Sequence, residues 1–143
     1  MDFEQVENAI INQLKATITN VKTIETYAGQ LEQDIETLPI QFPAIYTLYA
    51  GSQYNWIDGQ NQNEVCAFSV IVVAKNLRGK ESLRKDTQGC YQMIQDVLTS
   101  ITHKNFSLDV EKMKPINVSL LFVSKIIAAY SIDFQTNFDK LYP

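Results

Sequence analysis

Gly79-Lys80 is the stretch that most resembles a chemical site, because it follows an apolar run and precedes a helical pattern. A phosphate-binding loop has this layout and the form Gly-x-x-x-x-Gly-Lys-Ser/Thr, in which successive backbone N–H groups surround the phosphates. Here Ala74 stands at the first glycine position, and Glu81 follows the lysine. Since a carboxylate at that place would repel phosphate, the sequence does not predict nucleotide hydrolysis.

The other residues that could support catalysis or bind a metal are few and scattered. His103 is the only histidine and falls at a predicted helix end, where a cation favours the helix dipole. Cys66 and Cys90 are too few and too far apart for a zinc knuckle or a disulfide scaffold, and their apolar positions predict buried free thiols. Asp34 and Glu36 are two residues apart and would not face each other on a helix. The sequence therefore predicts no enzyme, no metal site and no cofactor.

Two groups of residues are better suited to binding another protein. The first places five of the twelve bases within eleven residues: Lys75, Arg78, Lys80, Arg84 and Lys85. It suits ion pairs with an acidic neighbour or plain exposure to solvent, whereas a pI near 4.9 and the lack of aromatic residues in the group disfavour nucleic acid. The second is apolar within a polar stretch and comprises Tyr54, Trp56 and Ile57. These three either fold back onto the body or anchor a partner.

Charge is unevenly distributed along the chain. Residues 1–64 hold nine acids and two bases, and residues 65–143 hold seven acids and ten bases. This asymmetry favours complementary faces that meet another copy or a partner, although an unevenly charged solvated surface gives the same pattern. No apolar stretch reaches the roughly 18 residues that span a bilayer, and the acidic start lacks a signal-peptide core. We therefore expect a protein that is made and kept in a cytoplasm until assembly.

Hydrophobic periodicity divides the first half of the chain into five segments. Residues 2–19 predict an amphipathic helix and residues 21–27 an edge strand. Residues 31–38 predict a short helix and residues 44–50 a strand. Residues 51–63 predict a long hairpin loop, which is the best candidate for an interaction arm. The apolar stripe of the first helix comprises Phe3, Val6, Ile10, Leu14 and Ile18.

The second half contains the segment around which the chain is organised. Residues 65–74 are apolar on both alternating faces, which predicts a central strand covered on each side. A long helix follows, with Gly89 inside it at a cost of about 1 kcal/mol relative to Ala. Residues 118–123 and 126–135 predict two strand pieces joined by a bulge or bend at Ser124-Lys125. The predicted stripe of the long helix is Leu83, Thr87, Cys90, Tyr91, Ile94, Val97, Leu98 and Ile101.

The order of elements predicts the α+β class in a single domain of residues 1–143. The expected architecture is a single mixed, largely antiparallel sheet with two main helices packed on it.

The central strand and its helix also carry a family resemblance. Residues 67–79 (AFSVIVVAKNLRG), followed by residues 89–98 (GCYQMIQDVL), resemble the small tail protein of Mu-like phages and prophages. The resemblance is most specific over residues 64–100 and extends more loosely to residues 43–50 and 129–134. That family is similar to tail terminators, the α/β proteins that close the head-proximal end of a phage tail as a six-membered ring. The shared motif is structural, so it implies no active-site residues.

The resemblance implies a structural protein of the virion tail that assembles in the host bacterial cytoplasm. Its implied partners are further copies of itself in a ring, expected to be a hexamer, the tail-tube protein, and the head-side connector. A head-to-tail contact closes into a ring when the rotation between copies closes. Our hypothesis is that the acidic N-terminal half and the basic turn at residues 75–85 are the two sides of that contact, which a salt titration tests.

Three other functions stay open at the level of the sequence. One is another phage neck or head–tail joining protein on a related fold. The second is a small enzyme or ligand-binding α+β domain, which would need a deep pocket with converging polar groups. The third is a soluble α+β domain of unrelated role.

Overall fold

The computed structural model describes residues 2–32, 40–75, 89–124 and 127–141, and these form one five-stranded sheet with two helices on one face. The strand order is β1-β2-β3-β5-β4, with β1 parallel to β2 and the other neighbouring pairs antiparallel. The predicted fold class and order of elements are confirmed. The elements are α1 (Phe3–Thr17), β1 (Thr23–Thr26), β2 (Ala44–Trp56), β3 (Asn61–Lys75), α2 (Cys90–Ile101), β4 (Lys114–Val123) and β5 (Ile127–Leu141).

The first helix buries one stripe, as its spacing requires. Val6, Ile10 and Leu14 follow one another at intervals of four residues and are fully buried. The helix begins after Asp2, whose side chain accepts a hydrogen bond from the Glu4 N–H at 2.9 Å. This cap satisfies one of the backbone donors that every helix leaves unpaired at its start. The helix predicted over residues 2–19 is confirmed with slightly shorter ends.

β3 lies at the centre of the sheet and is buried on both faces. Phe68, Val70 and Val72 pack under the helices in the main core, on what we call the helix face of the sheet. Ile71 and Val73 point to the opposite face, where they join a second apolar cluster. The predicted central strand is therefore confirmed. Partly buried residues that precede β2 in the chain pack against the second cluster: Tyr27, Leu31, Ile40 and Phe42.

The long loop predicted over residues 51–63 is wrong. β2 continues to Trp56 and β3 begins at Asn61, so only residues 57–60 connect the two strands. The pairing is continuous there, from Ser52 opposite Cys66 to Trp56 opposite Gln62. Amides and hydroxyls dominate this stretch and suggested a loop. Strand pairing satisfies the backbone donors and acceptors without burying the side chains, so polarity alone does not separate an exposed strand from a loop.

The second helix begins later than predicted. Gly89 is its N-cap, with extended backbone (φ −84°, ψ 172°), and is not inside the helix. Glycine is unfavourable in a helix interior and well tolerated at an N-cap, which explains this position. Met93 is fully buried, although it is not part of the predicted stripe. Tyr91 is part of the predicted stripe but is 45% exposed, because it lies at the side of the buried face of the helix. Two predicted stripe positions lie outside the described residues, Leu83 and Thr87.

The bulge or bend predicted at Ser124-Lys125 is also wrong, because β4 and β5 form an antiparallel hairpin. Val123 pairs with Ala128, and the Ser124 N–H donates to the Ile127 carbonyl at 2.7 Å. Lys125 lies outside the described residues.

Two shorter predictions have mixed outcomes. The edge strand predicted over residues 21–27 is confirmed as β1, which is parallel to β2. Of the short helix predicted over residues 31–38, the described part shows a single 3-10 turn, Gln30–Glu32, and residues 33–39 lie outside it.

Candidate interaction site

β2 and β3 extend beyond the helices as a structure that we call the arm, comprising residues 51–65. The end of β5 lies beside the β3 strand of the arm, where Phe138 pairs with Glu64 and Leu141 pairs with Asn61. Phe3, the first residue of α1, stacks on Tyr49 with ring centroids 4.2 Å apart, just before the arm begins. Residues 53–60 are all exposed. The arm therefore presents side chains to solvent while its backbone remains part of the sheet.

The end of the arm carries the three apolar residues that the sequence indicated as a partner anchor. Tyr54, Trp56 and Ile57 are 50%, 69% and 56% exposed, so none of them folds back onto the core. Tyr54 and Trp56 are two positions apart on one strand and project to the same face. Their partners in register, Glu64 and Gln62, place them on the helix face. The sheet thus brings the three residues together at one exposed end.

Asp58 holds the turn at the end of the arm. Its carboxylate accepts hydrogen bonds from the side-chain amide of Asn61 at 2.8 Å and from the N–H groups of Gln60 and Asn61 at 2.9 and 2.8 Å. These bonds, that of the Asn61 side chain foremost, lower the pKa of Asp58 from its ordinary value. The Ile57 N–H donates to the Asn61 carbonyl at 2.9 Å. These bonds hold the backbone of the turn that follows Trp56.

A β-bulge at the base of the arm sets the direction of its side chains. The register shifts between Tyr49 and Gly51, so Ala50 is an extra residue in β2. Gly51 has φ +125°, a conformation that favours glycine. Because of the extra residue, Tyr49 and Ser52 point to the same face, and their hydroxyl groups are hydrogen-bonded to each other.

A buried polar cluster lies beside this bulge on the helix face. The Glu64 carboxylate is 2% exposed and accepts a hydrogen bond from the Ser52 hydroxyl at 2.7 Å. The Cys66 thiol lies 3.5 Å from the same carboxylate oxygen. Glu64 was not among the residues predicted from the sequence, although an acid directly before the apolar run of residues 65–74 was an available signal. The cluster links β2 to β3 through side-chain hydrogen bonds at the base of the arm.

Both cysteines are buried free thiols, as predicted. Burial raises the pKa of Cys66 to about 11 and that of Cys90 to about 11. The thiolate is the reactive form, so both groups are inert near neutral pH.

The basic group predicted over residues 75–85 begins at the other end of β3. Lys75 is exposed, and its ammonium nitrogen lies 5.8 Å from the centre of the Phe42 ring. β3 has fifteen residues, so about 46 Å separates Asn61 from Lys75 at a rise of about 3.3 Å per residue. The grouping of the other bases remains a prediction. They lie outside the described residues: Arg78, Lys80, Arg84 and Lys85.

The residues considered for catalysis form no evident site in the described part of the chain. His103 is exposed after the end of α2, and its backbone N–H donates to the Met113 carbonyl at 2.8 Å. Asp34, Glu36 and Gly79-Lys80 lie outside the described residues. Among the residues that are described, no three His, Cys, Asp or Glu side chains are grouped so as to hold a metal ion. No helix in the same ranges combines the length and apolarity needed to cross a membrane.

The fold is of the α+β class, and its arm ends in exposed aromatic and apolar side chains. The chain belongs to a family described as Bacteriophage Mu, Gp37, whose model matches residues 2–139. The resemblance to Mu-like phage proteins is thereby confirmed, and the protein is a phage protein of the structural type. No curated protein matches the chain.

Proposed function

We propose that this protein is the tail terminator of a Mu-like phage or prophage. In this role, copies of the chain form a ring, expected to be a hexamer, at the head-proximal end of the tail. The ring binds the last ring of tail-tube subunits, stops further polymerisation, and offers its other surface to the head-side connector. It assembles in the host bacterial cytoplasm and is then retained in the virion tail. Membership of a phage structural family supports the class of function.

The placement of different surfaces at the two ends of β3 is the observation that carries the proposal. A cap must bind the tube on one side and present a surface on the other side that does not template more tube. The arm ends in exposed aromatic and apolar residues, whereas an exposed Lys75 stands about 46 Å away at the other end of β3, at about 3.3 Å per residue. The two ends therefore suit chemically different partners.

The end of the arm is the surface that we assign to the tail tube. Tryptophan and tyrosine are enriched among the residues that dominate protein–protein contacts. Covering the exposed part of Trp56 would remove roughly 150 Å² of apolar surface from water, which contributes about 4 kcal/mol before the costs of association. The hydrogen bonds of Asp58 fix the turn beforehand, so less conformational freedom is lost on binding.

The test is to mix the purified protein with its tail-tube protein and to follow the mixture by sedimentation and electron microscopy. The proposal expects rings at tube ends and tubes that no longer lengthen. Trp56→Ala should lose this activity, whereas Asn12→Ala, a change at an exposed position of α1, should keep it.

Two outcomes would contradict the terminator function. One is a protein that remains monomeric and leaves tube growth unchanged. The other is binding to the head-side connector without binding to the tube end, which would indicate a neck or head–tail joining protein.

A further inference from the structure

β4 is an apolar strand at an open edge of the sheet. Within the described ranges it pairs with β5 alone, and all its residues except Phe122 are exposed. It presents five large apolar side chains to water, and contiguous apolar patches of roughly 300–600 Å² are the largest on typical monomers and often functional. Five large apolar residues of β4 are 42–53% exposed: Ile116, Val118, Leu120, Leu121 and Val123.

The apolar surface continues from β4 toward the second helix. The register places Val118 and Leu120 on the helix face, opposite Ile132 and Tyr130 of β5. α2 packs on β3 and β5, and its Tyr91 meets Tyr130 edge-on with ring centroids 6.2 Å apart. The helix layer thus ends beside β4, and the apolar side chains of β4 lie next to an exposed aromatic ring.

The composition of β4 is unusual for a strand that stays in water. Monomeric proteins commonly protect sheet edges with charges, prolines and bulges. β4 has its only charge, Lys114, and its only proline, Pro115, at its first two positions. Its two register shifts fall at Ile116 and Leu121, and both of these side chains remain exposed. The bulges limit which strands can pair with this edge, but they do not remove its apolar surface.

A second open edge of similar length lies at the other end of the strand order, along β2. β1 pairs with β2 only from Ala44 to Thr47. No described strand therefore lies beside residues 48–56 of β2 on that side. This stretch has nine residues, compared with ten in β4, and contains no charged side chain. Two different edges on opposite sides of one sheet are what head-to-tail association of identical copies requires.

We propose that β4 of one copy pairs with residues 48–56 of β2 in the next copy, so that neighbouring sheets join edge to edge. The need for a ring rests on the proposed function, whereas the two edges are properties of this chain. β2 and β4 run in opposite directions within the sheet. In a ring whose copies all have the same orientation to its axis, β4 is therefore antiparallel to β2 of the neighbour. The helix faces of neighbouring copies then lie on the same side of the joined sheets. The turns at residues 57–60 of all copies lie at the same end of the ring.

Three observations favour a second copy as the occupant of β4. Every copy offers each of these two edges once, so a closed ring leaves neither of them open, whereas a foreign partner on one would leave the other exposed. Pairing buries no charge except at Lys114, at the end of β4. A stable interface needs about 800 Å² from each partner, and edge pairing would contribute to it through the paired backbones and through part of the exposed apolar side chains of β4.

The first test compares self-association of the wild type with that of Leu120→Lys by sedimentation over a concentration series. Leu120 is 53% exposed, so the variant should fold, which circular dichroism checks. We expect the wild type to associate with rising concentration and the variant to associate at least about tenfold more weakly, because an unpaired charge would enter the contact. Asn12→Lys adds the same charge at an exposed position of α1 and should associate like the wild type. A wild type that stays monomeric throughout, or a variant that associates equally well, would overturn the proposal.

The second test uses engineered disulfides to identify the two edges. The side chains chosen for substitution, those of Ser119, Gln53 and Asn55, all project to the face opposite the helices. This follows from their partners in register, which are Ser131, Val65 and Asn63 respectively. Ser119→Cys combined with Gln53→Cys or Asn55→Cys should give a ladder of cross-linked copies on a non-reducing gel, and each single variant should not. Dimers of Ser119→Cys alone would show two-fold pairing of β4 with itself, and the lack of a ladder in both double variants would exclude the β4–β2 contact.

The outcomes also separate this inference from the terminator function. If Leu120→Lys still caps tubes as a ring, edge pairing is wrong and the terminator function stands. If the wild type pairs through these edges but never binds a tube end, the terminator function is wrong and the pairing stands. Association through uncharged edges should persist at high salt. Dissociation at high salt would instead indicate a contact through the charges predicted around residues 75–85, and would overturn edge pairing.

Discussion

β2 and β3 are buried at one end and exposed at the other, although their pairing runs without interruption apart from one bulge. In the body, Ala44 pairs with Val73, and both side chains are fully buried. In the arm, Trp56 pairs with Gln62, and Trp56 is 69% exposed. The backbone hydrogen-bonding pattern is of the same antiparallel kind in both regions. The difference lies in what covers the side chains.

This contrast separates two roles of one hairpin. In the body, apolar surface is removed from water within the chain and stabilises the fold. In the arm, aromatic surface stays in water and is available to a partner. Substitutions in the body should therefore change the free energy of unfolding, and substitutions at the end of the arm should change binding.

Phe134→Ala should have the largest effect on stability. Phe134 is fully buried in the main core and pairs with Phe68 across the sheet. Removing its ring leaves a cavity under the helices, and we expect the free energy of unfolding to fall by about 3–5 kcal/mol. Urea denaturation followed by circular dichroism measures this. A loss below about 1 kcal/mol would mean that the core collapses around the gap, and it would weaken the contrast between body and arm.

Gly51→Ala should have an intermediate effect at the boundary between the two regions. A Cβ at Gly51 would contact no other atom within 4 Å, but the φ of +125° is strained for any L side chain. We expect a loss of about 1–3 kcal/mol from backbone strain alone.

Gly59→Ala is the matched control for this strain. Gly59 also has open space around it and lacks a strained φ. The change should stay within about 0.5 kcal/mol of the wild type. Equal losses in the two variants would show that conformation at the bulge is not what the glycine supplies.

The sequence predicted the body well because periodicity reports which faces are apolar. Val6, Ile10 and Leu14 indicated the first helix, and the apolar run of β3 indicated a strand covered on both sides. The prediction from the sequence was wrong where the burial of a strand does not follow from its hydrophobic pattern. The amide-rich strands of the arm have the composition of a loop, and the apolar residues of β4 give no indication in the sequence that they lie in water. Periodicity describes one chain and does not report what a second copy or a partner covers.

The candidate site was predicted in part. Tyr54, Trp56 and Ile57 stood out by composition, because large apolar residues in a polar stretch need a reason. The bulge and the contact between Ser52 and Glu64 were not predictable, because they depend on the register between β2 and β3. A single added residue in one strand changes which side chains meet.

Tyr46→Phe should have a smaller, pH-dependent effect on the face opposite the helices. Tyr46 is fully buried, and its hydroxyl has no hydrogen-bond partner among the residues that the structure describes. Burial, followed by the charge of Glu25 and by Tyr27, raises the pKa of Tyr46 from its ordinary value of 10.0 to about 12. Between these values the unfolded chain has lost the proton and the folded chain has kept it. The unfolded state then binds fewer protons, so stability falls as pH rises from 10 to 12.

The phenylalanine variant lacks this titration, so its stability should fall less steeply over the same alkaline range. Near neutral pH it should be as stable as the wild type or slightly more stable, because a buried hydroxyl is removed. Cys66 and Cys90, whose pKa values are each raised to about 11, titrate in both proteins and keep the slope from vanishing. Urea denaturation at several pH values measures the difference. Identical slopes would mean that the Tyr46 hydroxyl is solvated in the folded protein.

Trp56→Ala should have the smallest effect on stability, with a change in the free energy of unfolding below about 0.5 kcal/mol. Trp56 is the only tryptophan, so its fluorescence reports on the arm alone. Because the ring is already 69% exposed, its emission should resemble that of indole in water and change little on unfolding, while circular dichroism reports the whole transition. A folded-state emission typical of a buried indole would contradict the exposed arm. A shift toward that emission when tail-tube protein is added would show that the partner covers the surface that the fold leaves open.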